Sequence, residues 1–550
     1  MKKILCLLAI TILVVSCGKK PSEASFIPKD ATGVMYVNLE SLYEKSKDVD
    51  FKNLNINKMI TQSAPQKLKD FMAEQINAEN IKTTFRNDMM FGFMKTDGGS
   101  TSGALIIPIQ NASSFEKMIA PMLKDMPRAE KQENVGKDNA FTVYTQRDAA
   151  IGWNETTALF MVGSRFAGQD LIDLTKLASS ENIYATDYFK DFIGAGMDMG
   201  IHITSSPVKD LANSLLSIYG VNLNLGDNNF SYHGSFEDDR VLVKSNLGLN
   251  DDLKSLTGYK TWAAKGYNAD LLNVLPENPL AVVKVSLNTS ALYKHIESLQ
   301  ENKLIPELFR KGLKMNLENT NNQMESAMGM SIADVANVFD GSMMIAFTEG
   351  KTVKDSIIDY YSDDYRYKVF DKKVPFVYGA VAIKETENFE KLMNIMMTMQ
   401  RPKSTKGKNY YQLSKDVFAL LKNDILFVTN DVTKADEVYN NGKLATNLSE
   451  FKYKANLDNS IYVFTSENLY SNMSEMFNSF DPYAFSDGNE INTNTETMNY
   501  SEFFGDSHMM MNADGMEAYY EVKGEGGSLK RTIEYMDATM KESLKMMSRY

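Results

Sequence analysis

Phe26–Tyr43 reads FIPKDATGVMYVNLESLY, and Val274–Tyr293 reads VLPENPLAVVKVSLNTSALY. Pro28 matches Pro276, Val34 and Met35 match Val282 and Val283, Val37 matches Val285, and Leu39 matches Leu287. A two-residue insertion then brings Leu42 and Tyr43 onto Leu292 and Tyr293. Each copy predicts a proline-led turn, an apolar strand and the start of a helix. The chain therefore reads as two related halves in tandem.

Five further matches follow in the same order. Phe85–Phe93 aligns with Phe339–Phe347 without a gap, each a polar turn opening a strand. Ser102–Leu123 matches Tyr378–Met397, a strand, a short turn and an amphipathic helix. Phe115, Met118, Ile119 and Met122 recur there as Phe389, Leu392, Met393 and Met396, the spacing of one helix face. Ile151–Val162 and Leu420–Val428 read as hairpins turning near Asn154 and near Asn423-Asp424. Asp198–Ser205 answers Asn459–Ser466. Final hairpins turn at Asp238-Asp239 and at Asp514-Gly515, each before a closing helix.

Strands joined by hairpins or by one helix predict an α+β fold, with antiparallel or mixed sheets and helices packed on one face. The expected division is lobe 1 over residues 26–268 and lobe 2 over 269–550. Lobe 2 carries two insertions, 351–374 and 481–500.

At 550 residues the chain exceeds what one core usually serves. Forty-three percent hydrophobic residues with mixed charge describes a folded protein rather than a disordered one. The net charge of −12 argues against a nucleic-acid partner, which needs a concentrated basic surface. The basic run Arg401–Lys408 lacks an aromatic residue for base stacking and reads as a solvated loop.

Residues 1–17 read as a targeting segment. Lys2 and Lys3 precede an apolar run, Ile4–Val15, too short to span roughly 30 Å of hydrocarbon. The run ends Val14-Val15-Ser16-Cys17-Gly18, which resembles the lipobox of bacterial lipoproteins, where the cysteine is acylated. Cys6 lies inside the segment to be removed, so the mature chain keeps Cys17 alone and forms no disulfide. Residues 18–25 form a polar stalk lacking the acidic run of surface-export signals. The expectation is a lipid-anchored envelope protein, at the outer membrane and facing the periplasm.

The lipobox, the Ile27-Pro28-Lys29-Asp30-Ala31 entry into a strand ending Asn38-Leu39, and the two-lobe length together resemble a family of uncharacterised Bacteroides-type lipoproteins, a domain of unknown function. The resemblance implies an envelope lipoprotein with an α+β fold. It carries over no substrate, cofactor or catalytic residue.

Chemistry-bearing motifs yield to plainer readings. Ser114-Phe115-Glu116-Lys117 has the Ser-x-x-Lys form of penicillin-binding proteins, yet its counterpart begins with Asn388. Serine and asparagine share the capping of a helix start, and the partner motifs are missing. Gly505-Asp506-Ser507-His508 resembles an esterase block but stands before the last hairpin. Of four histidines, His202 reads as a strand residue with Tyr462 as its repeat partner, and His295 stands alone on a helix. His233 and His508 fall on equivalent hairpin positions within one residue. One imidazole per lobe makes no metal site. The 34 methionines, with His508 beside Met509–Met511, offer soft ligands for Cu(I), though core filling explains them more simply.

Most suggestive for binding is insertion 351–374, with Tyr360, Tyr361, Tyr365 and Tyr367 among aspartates, since tyrosine is favoured in binding surfaces. An extra hairpin packed on the sheet is the simpler alternative. The sequence thus points to a non-enzymatic, membrane-anchored protein binding a protein, glycan or lipid partner through lobe 2 or the cleft between lobes. No cofactor is expected. The alternative is a hydrolase whose catalytic carboxylates form no motif.

Overall fold

The computed structural model describes residues 21–50, 54–55, 78–97, 100–124, 128–218, 220–221, 223–358, 367–400, 403–404, 411–414, 416–469, 500–513 and 515–547. The chain divides into two compact units. Unit 1 is Met1–Pro207 with Ser231–Gly234, and unit 2 is Val208–Phe230 with Ser235–Tyr550. The class is α+β, and every strand pair given below is antiparallel.

Unit 1 contains β1 (Gly33–Asn38), β2 (Met89–Asp97), β3 (Ser100–Pro108), β4 (Glu130–Val135), β5 (Phe141–Gln146), β6 (Ala149–Trp153), β7 (Thr157–Val162) and β8 (Met199–Thr204). They pair in the order β4-β5-β6-β7-β3-β2-β1-β8. Strand β9 (Asn229–Phe236) brings Ser231–Gly234 to this unit.

Unit 2 contains β10 (Arg240–Gly248), β11 (Ala281–Ser286), β12 (Phe339–Ile358), β13 (Tyr367–Ile383), β14 (Lys403–Ser404), β15 (Tyr411–Ser414), β16 (Val417–Lys422), β17 (Ile425–Thr429), β18 (Ile461–Thr465), β19 (Phe504–Asn512) and β20 (Gly515–Val522). Their order is β14-β15-β16-β17-β13-β12-β11-β18-β19-β20-β10. Its first eight places repeat unit 1 strand for strand. Strand β10, which lies in the first half of the sequence, pairs with β20 in unit 2, Arg240 facing Glu521.

The quoted stretch builds the centre of each sheet. In β1 the alternation of Val34 and Tyr36 with Met35 and Val37 puts the first pair into the core. Asn38 then caps helix Leu39–Lys45 by accepting from Ser41 N, and Asn288 caps helix Thr289–Ser298 by accepting from Ala291 N. Hairpin β16–β17 turns on Asn423 and Asp424, both left-handed at φ 51° and 58°, as a two-residue turn between twisted strands requires.

Two details of the repeat differ from the sequence alignment. Val34 faces Phe93 while Val282 faces Ala346, so the gapless match of Phe93 with Phe347 slips by one residue. The slip would exchange inner and outer faces, and burial settles it: Phe91 and Phe93 are buried as Met344 and Ala346 are. Likewise Val34 faces His202 and Val282 faces Phe464, which makes Phe464 rather than Tyr462 the counterpart of His202.

Helices cover more than the one expected face. In unit 1, Leu159 and Met161 of β7 join the main core with helix Ala167–Leu174, while Ala158 faces a second cluster with Phe115 and Ile119 of helix Ala112–Lys124. Unit 2 repeats this, with helix Val432–Asn441 on the main core and Phe389 and Met393 of helix Thr386–Gln400 in the second cluster. Successive residues of a strand point to opposite faces, so both faces of these strands are apolar.

Beyond the sheet, β12 and β13 continue as a two-stranded ribbon. Lys351–Ile358 pairs with Tyr367–Val374 over eight residue pairs, after a register shift between Thr348 and Lys351. Gly350 sits at that shift because its backbone passes against the Val374 carbonyl, leaving no room for a side chain. At about 3.3 Å per residue the ribbon is about 26 Å long.

Candidate functional site

The densest polar chemistry among the described residues lies on β18, β19 and β20 of unit 2. Register sets Phe464 opposite His508 and His508 opposite Tyr519. Tyr462 OH meets His508 Nδ1 at 2.9 Å, and Tyr519 stacks on the imidazole at 4.4 Å between ring centres. Tyr453 presents its edge at 4.2 Å. His508 is 2% exposed and its Nε2 has no hydrogen-bond partner. Burial lowers its pKa to about 4, with Asp506 pulling the other way.

Tyr453 carries the outer layer. Its hydroxyl lies 2.7 Å from Asp506 Oδ2 and 2.9 Å from Glu521 Oε1, and it accepts from Lys452 Nζ at 2.9 Å. One phenolic proton serves two carboxylates, so it bonds one of them at a time. Burial, then the bonds to Asp506 and Glu521, push the phenol well above its ordinary value. Asn456 Nδ2 reaches Tyr519 OH at 3.3 Å, and the Arg240 guanidinium lies 5.1 Å over the Tyr519 ring. Beside this layer opens a cavity of about 620 Å³ lined by Glu277, Glu349, Glu450, Lys452, Tyr453 and Asp506.

Unit 1 holds a related cluster. Tyr36 OH lies 3.2 Å from His233 Nδ1, and His202 Nδ1 lies 2.7 Å from Ser231 Oγ. Tyr188 stacks flat on His202 at 3.8 Å. Burial, then His233, lowers the His202 pKa to about 4. The cavity here is about 330 Å³ and includes Lys29, Lys95 and Tyr188. Lys29 stands where unit 2 has Glu277, so the two cavities differ in charge.

The tyrosine of each Tyr–His pair comes from a different strand. In unit 1 Tyr36 of β1 faces Gly200 of β8, and the ring lies so close to Gly200 that a methyl there would collide with it. In unit 2 the corresponding pair is Lys284 facing Tyr462. Lys284 is fully buried, donating to Gly266 O at 2.7 Å and to Asn459 O. Burial lowers its pKa to about 8, opposed by Asp458.

Several sequence candidates find their places. Tyr360, Tyr361, Tyr365 and Cys17 lie outside the described residues. Tyr367 opens β13 opposite Ile358. Ser114 is not a helix cap. Asn111 caps, its Oδ1 accepting from Ser114 N at 2.8 Å, while Asn388 donates to Glu385 Oε2 from inside its own helix. The cap stands three residues earlier because the polar turn before the helix already contains an acceptor. His295 Nε2 lies 3.0 Å from Leu256 O. Met344 and Met510 are buried core residues. Among the described residues no three His, Cys, Asp or Glu side chains are grouped to hold a metal ion. Nor is any described helix long and apolar enough to cross a membrane.

Tyr453, Glu521 and Tyr519 carry no sequence signal of their own, and Asp506 enters the sequence reading only within the Gly505-Asp506-Ser507-His508 block. Asp506-x-His508 on one strand face was the available signal, but Tyr453 lies 53 residues away and joins it only through the fold.

A family model described as a domain of unknown function (DUF4836) matches residues 24–476. The chain belongs to that family. The matched region holds the quoted stretch of both units, Tyr453 and Tyr462, and stops short of β19 and β20. A search of curated proteins gives no match. Among solved structures, crystal form I of TP0453 is 11% identical and covers 43% of this chain and 81% of its own, at a TM-score of 0.25. Crystal form III of TP0453 is 11% identical, with 42% and 82% covered, at 0.26. At those scores the likeness carries no argument.

Proposed function

We propose that this family member is a non-enzymatic lipoprotein of the bacterial cell envelope. Acyl chains on Cys17 would hold it at the outer membrane facing the periplasm, as in Bacteroides-type lipoproteins. Its two halves, lobe 1 over 26–268 and lobe 2 over 269–550, would be copies of one ancestral unit, a reading supported by the recurring strand order. It would hold a protein, glycan or lipid partner through lobe 2.

The ribbon of β12 and β13 carries this reading. Neighbouring strands pair with its base only, β11 along Ser342–Phe347 and β17 along Tyr378–Ala382. Among the described residues, no strand flanks Lys351–Ile358 or Tyr367–Val374. An isolated two-stranded ribbon is marginal in water and gains from a surface to lie on. Val369, 61% exposed, is one apolar residue it displays. The tyrosines Tyr360, Tyr361 and Tyr365 stand between its strands in sequence.

A photocrosslinking amino acid at position 369 tests this in living envelopes, with position 162, equally exposed, as the reference. One discrete adduct from 369 and none from 162 supports the proposal. Equal, diffuse labelling from both sites refutes it.

A second reading, a hydrolase, draws on the two carboxylates that flank Tyr453 beside an acidic cavity. It requires turnover of a glycoside or ester panel that Asp506→Asn and Glu521→Gln each abolish. A panel left untouched by the unaltered protein removes it.

A further inference from the structure

Helix Glu307–Met328 runs for 22 residues with none buried. Its sheltered side passes through Arg310, Leu313, Leu317, Asn321, Met324 and Met328, spaced by three and four residues. Leu308 and Met315 point away from that side, and Phe309 stands at its margin. Leu308 is 80% exposed, and the other two are more than half exposed. A second helix, Ser206–Ile218, also ends on open apolar residues, Ile218 at 76% and Leu215 above half. The two ends adjoin, because a side chain at Gly220 would meet the ring of Pro306, which precedes the long helix. Large apolar side chains this open, from two helices at one place, mark an interaction surface.

The charge around it differs from that of the rest of the chain. Residues 303–314 contain Lys303, Arg310, Lys311 and Lys314 against one acid, Glu307, which is itself paired with Lys311 at 2.6 Å. The whole chain carries −12. Arg310 lies on the sheltered side with its Nε buried, so the flanking charge is that of the lysines. Apolar tips flanked by lysine on a helix of otherwise polar composition are the pattern of an interfacial helix. Long basic side chains reach headgroup phosphates while the apolar tips enter the acyl boundary.

We propose that the start of helix Glu307–Met328 and the end of helix Ser206–Ile218 together form a surface that lies against a bilayer containing anionic lipid. The proposal goes beyond the anchor at Cys17 and the partner ribbon, and needs neither. With an anchor, the same contact would fix which way unit 2 faces the membrane.

The test uses the full chain with Phe309→Trp, compared with Val162→Trp, a similarly exposed site in unit 1. Both are mixed with phosphatidylcholine–phosphatidylglycerol vesicles whose acyl chains carry bromine, and the emission of unaltered protein is subtracted. The expected result is a blue shift and loss of emission from Trp at 309, weakened by salt, with little change at 162. Loss at 309 no greater than at 162 overturns the proposal, as does absence of vesicle binding. A response at 309 to added envelope protein but not to vesicles also overturns it and assigns the surface to a protein. Mass analysis of the N-terminal peptide reads acylation separately, so failure of the anchor and failure of this surface are distinguishable.

Discussion

Replacing Lys284 by methionine should remove a pH dependence rather than simply weaken the protein. The folded pKa is lowered from 10.5 to about 8 by burial, so the folded state disfavours the ammonium that the unfolded chain carries freely. At 1.36 kcal/mol per pH unit, the protonated side chain costs unit 2 about 3 kcal/mol at neutral pH. Between the two pKa values the unfolded chain binds more protons than the folded one, so stability rises with pH. From pH 7 to pH 9.5 the gain is about 2 kcal/mol. Above pH 10 the buried tyrosines act in the opposite sense. Tyr36 and Tyr188, both raised to about 12, stay protonated when folded while unfolded tyrosine ionises. Urea titrations of unaltered protein and Lys284→Met, followed by circular dichroism at several pH values below 9.5, isolate the lysine term. The variant leaves the Asn459 carbonyl without its lysine donor, at about 1–3 kcal/mol, while Gly266 O keeps the Ser286 hydroxyl at 2.5 Å, so its stability at pH 7 should equal or modestly exceed that of the parent. What must change is the slope. Parallel curves for the two proteins from pH 7 to 9.5 would refute a buried, depressed lysine.

Three further outcomes follow from the geometry. His202 and His508 both have folded pKa values of about 4, below the ordinary 6.5, so stability present at neutral pH should fall as pH drops from 6.5 to 4. His508→Leu should flatten part of that decline in acid titrations. Gly200→Ala should cost about 1–3 kcal/mol in urea unfolding, because the added methyl enters the Tyr36 ring. Asn111→Ala should lower stability by about 1 kcal/mol in the same assay, whereas Ser114→Ala should be nearly neutral. The reverse ranking would restore Ser114 as the cap.

Much of the fold was legible because strands and helices in this chain keep their own periods. The Pro-led entry and the apolar alternation of β1 and β11 act locally, and the structure keeps both strands. The Asn423-Asp424 turn was readable for the same reason. Strand β4 was not, since Glu130–Val135 is almost wholly charged and polar, which suits an exposed edge and hides the alternation. The one-residue slips in the repeat were equally hidden, because a ladder's register depends on which face meets the core. The Tyr453 layer was the least legible part. Its residues are individually ordinary, and only pairing of β19 with β20 brings Asp506 and Glu521 to one hydroxyl.

The pairing of β10 with β20 has a consequence for how the chain acquires its fold. Strands β1 to β7 pair with one another and with β8 inside the first 207 residues, so those ladders can close while most of the polypeptide has yet to emerge. Strand β10 cannot complete in that way, because Arg240 must wait for Glu521. Contacts so distant in sequence are slow to form, and the waiting edge is open to other strands meanwhile. Truncation anywhere before β20 should therefore leave β10 with an unpaired edge and a chain prone to association. An intact C-terminus is a condition for closing the second unit.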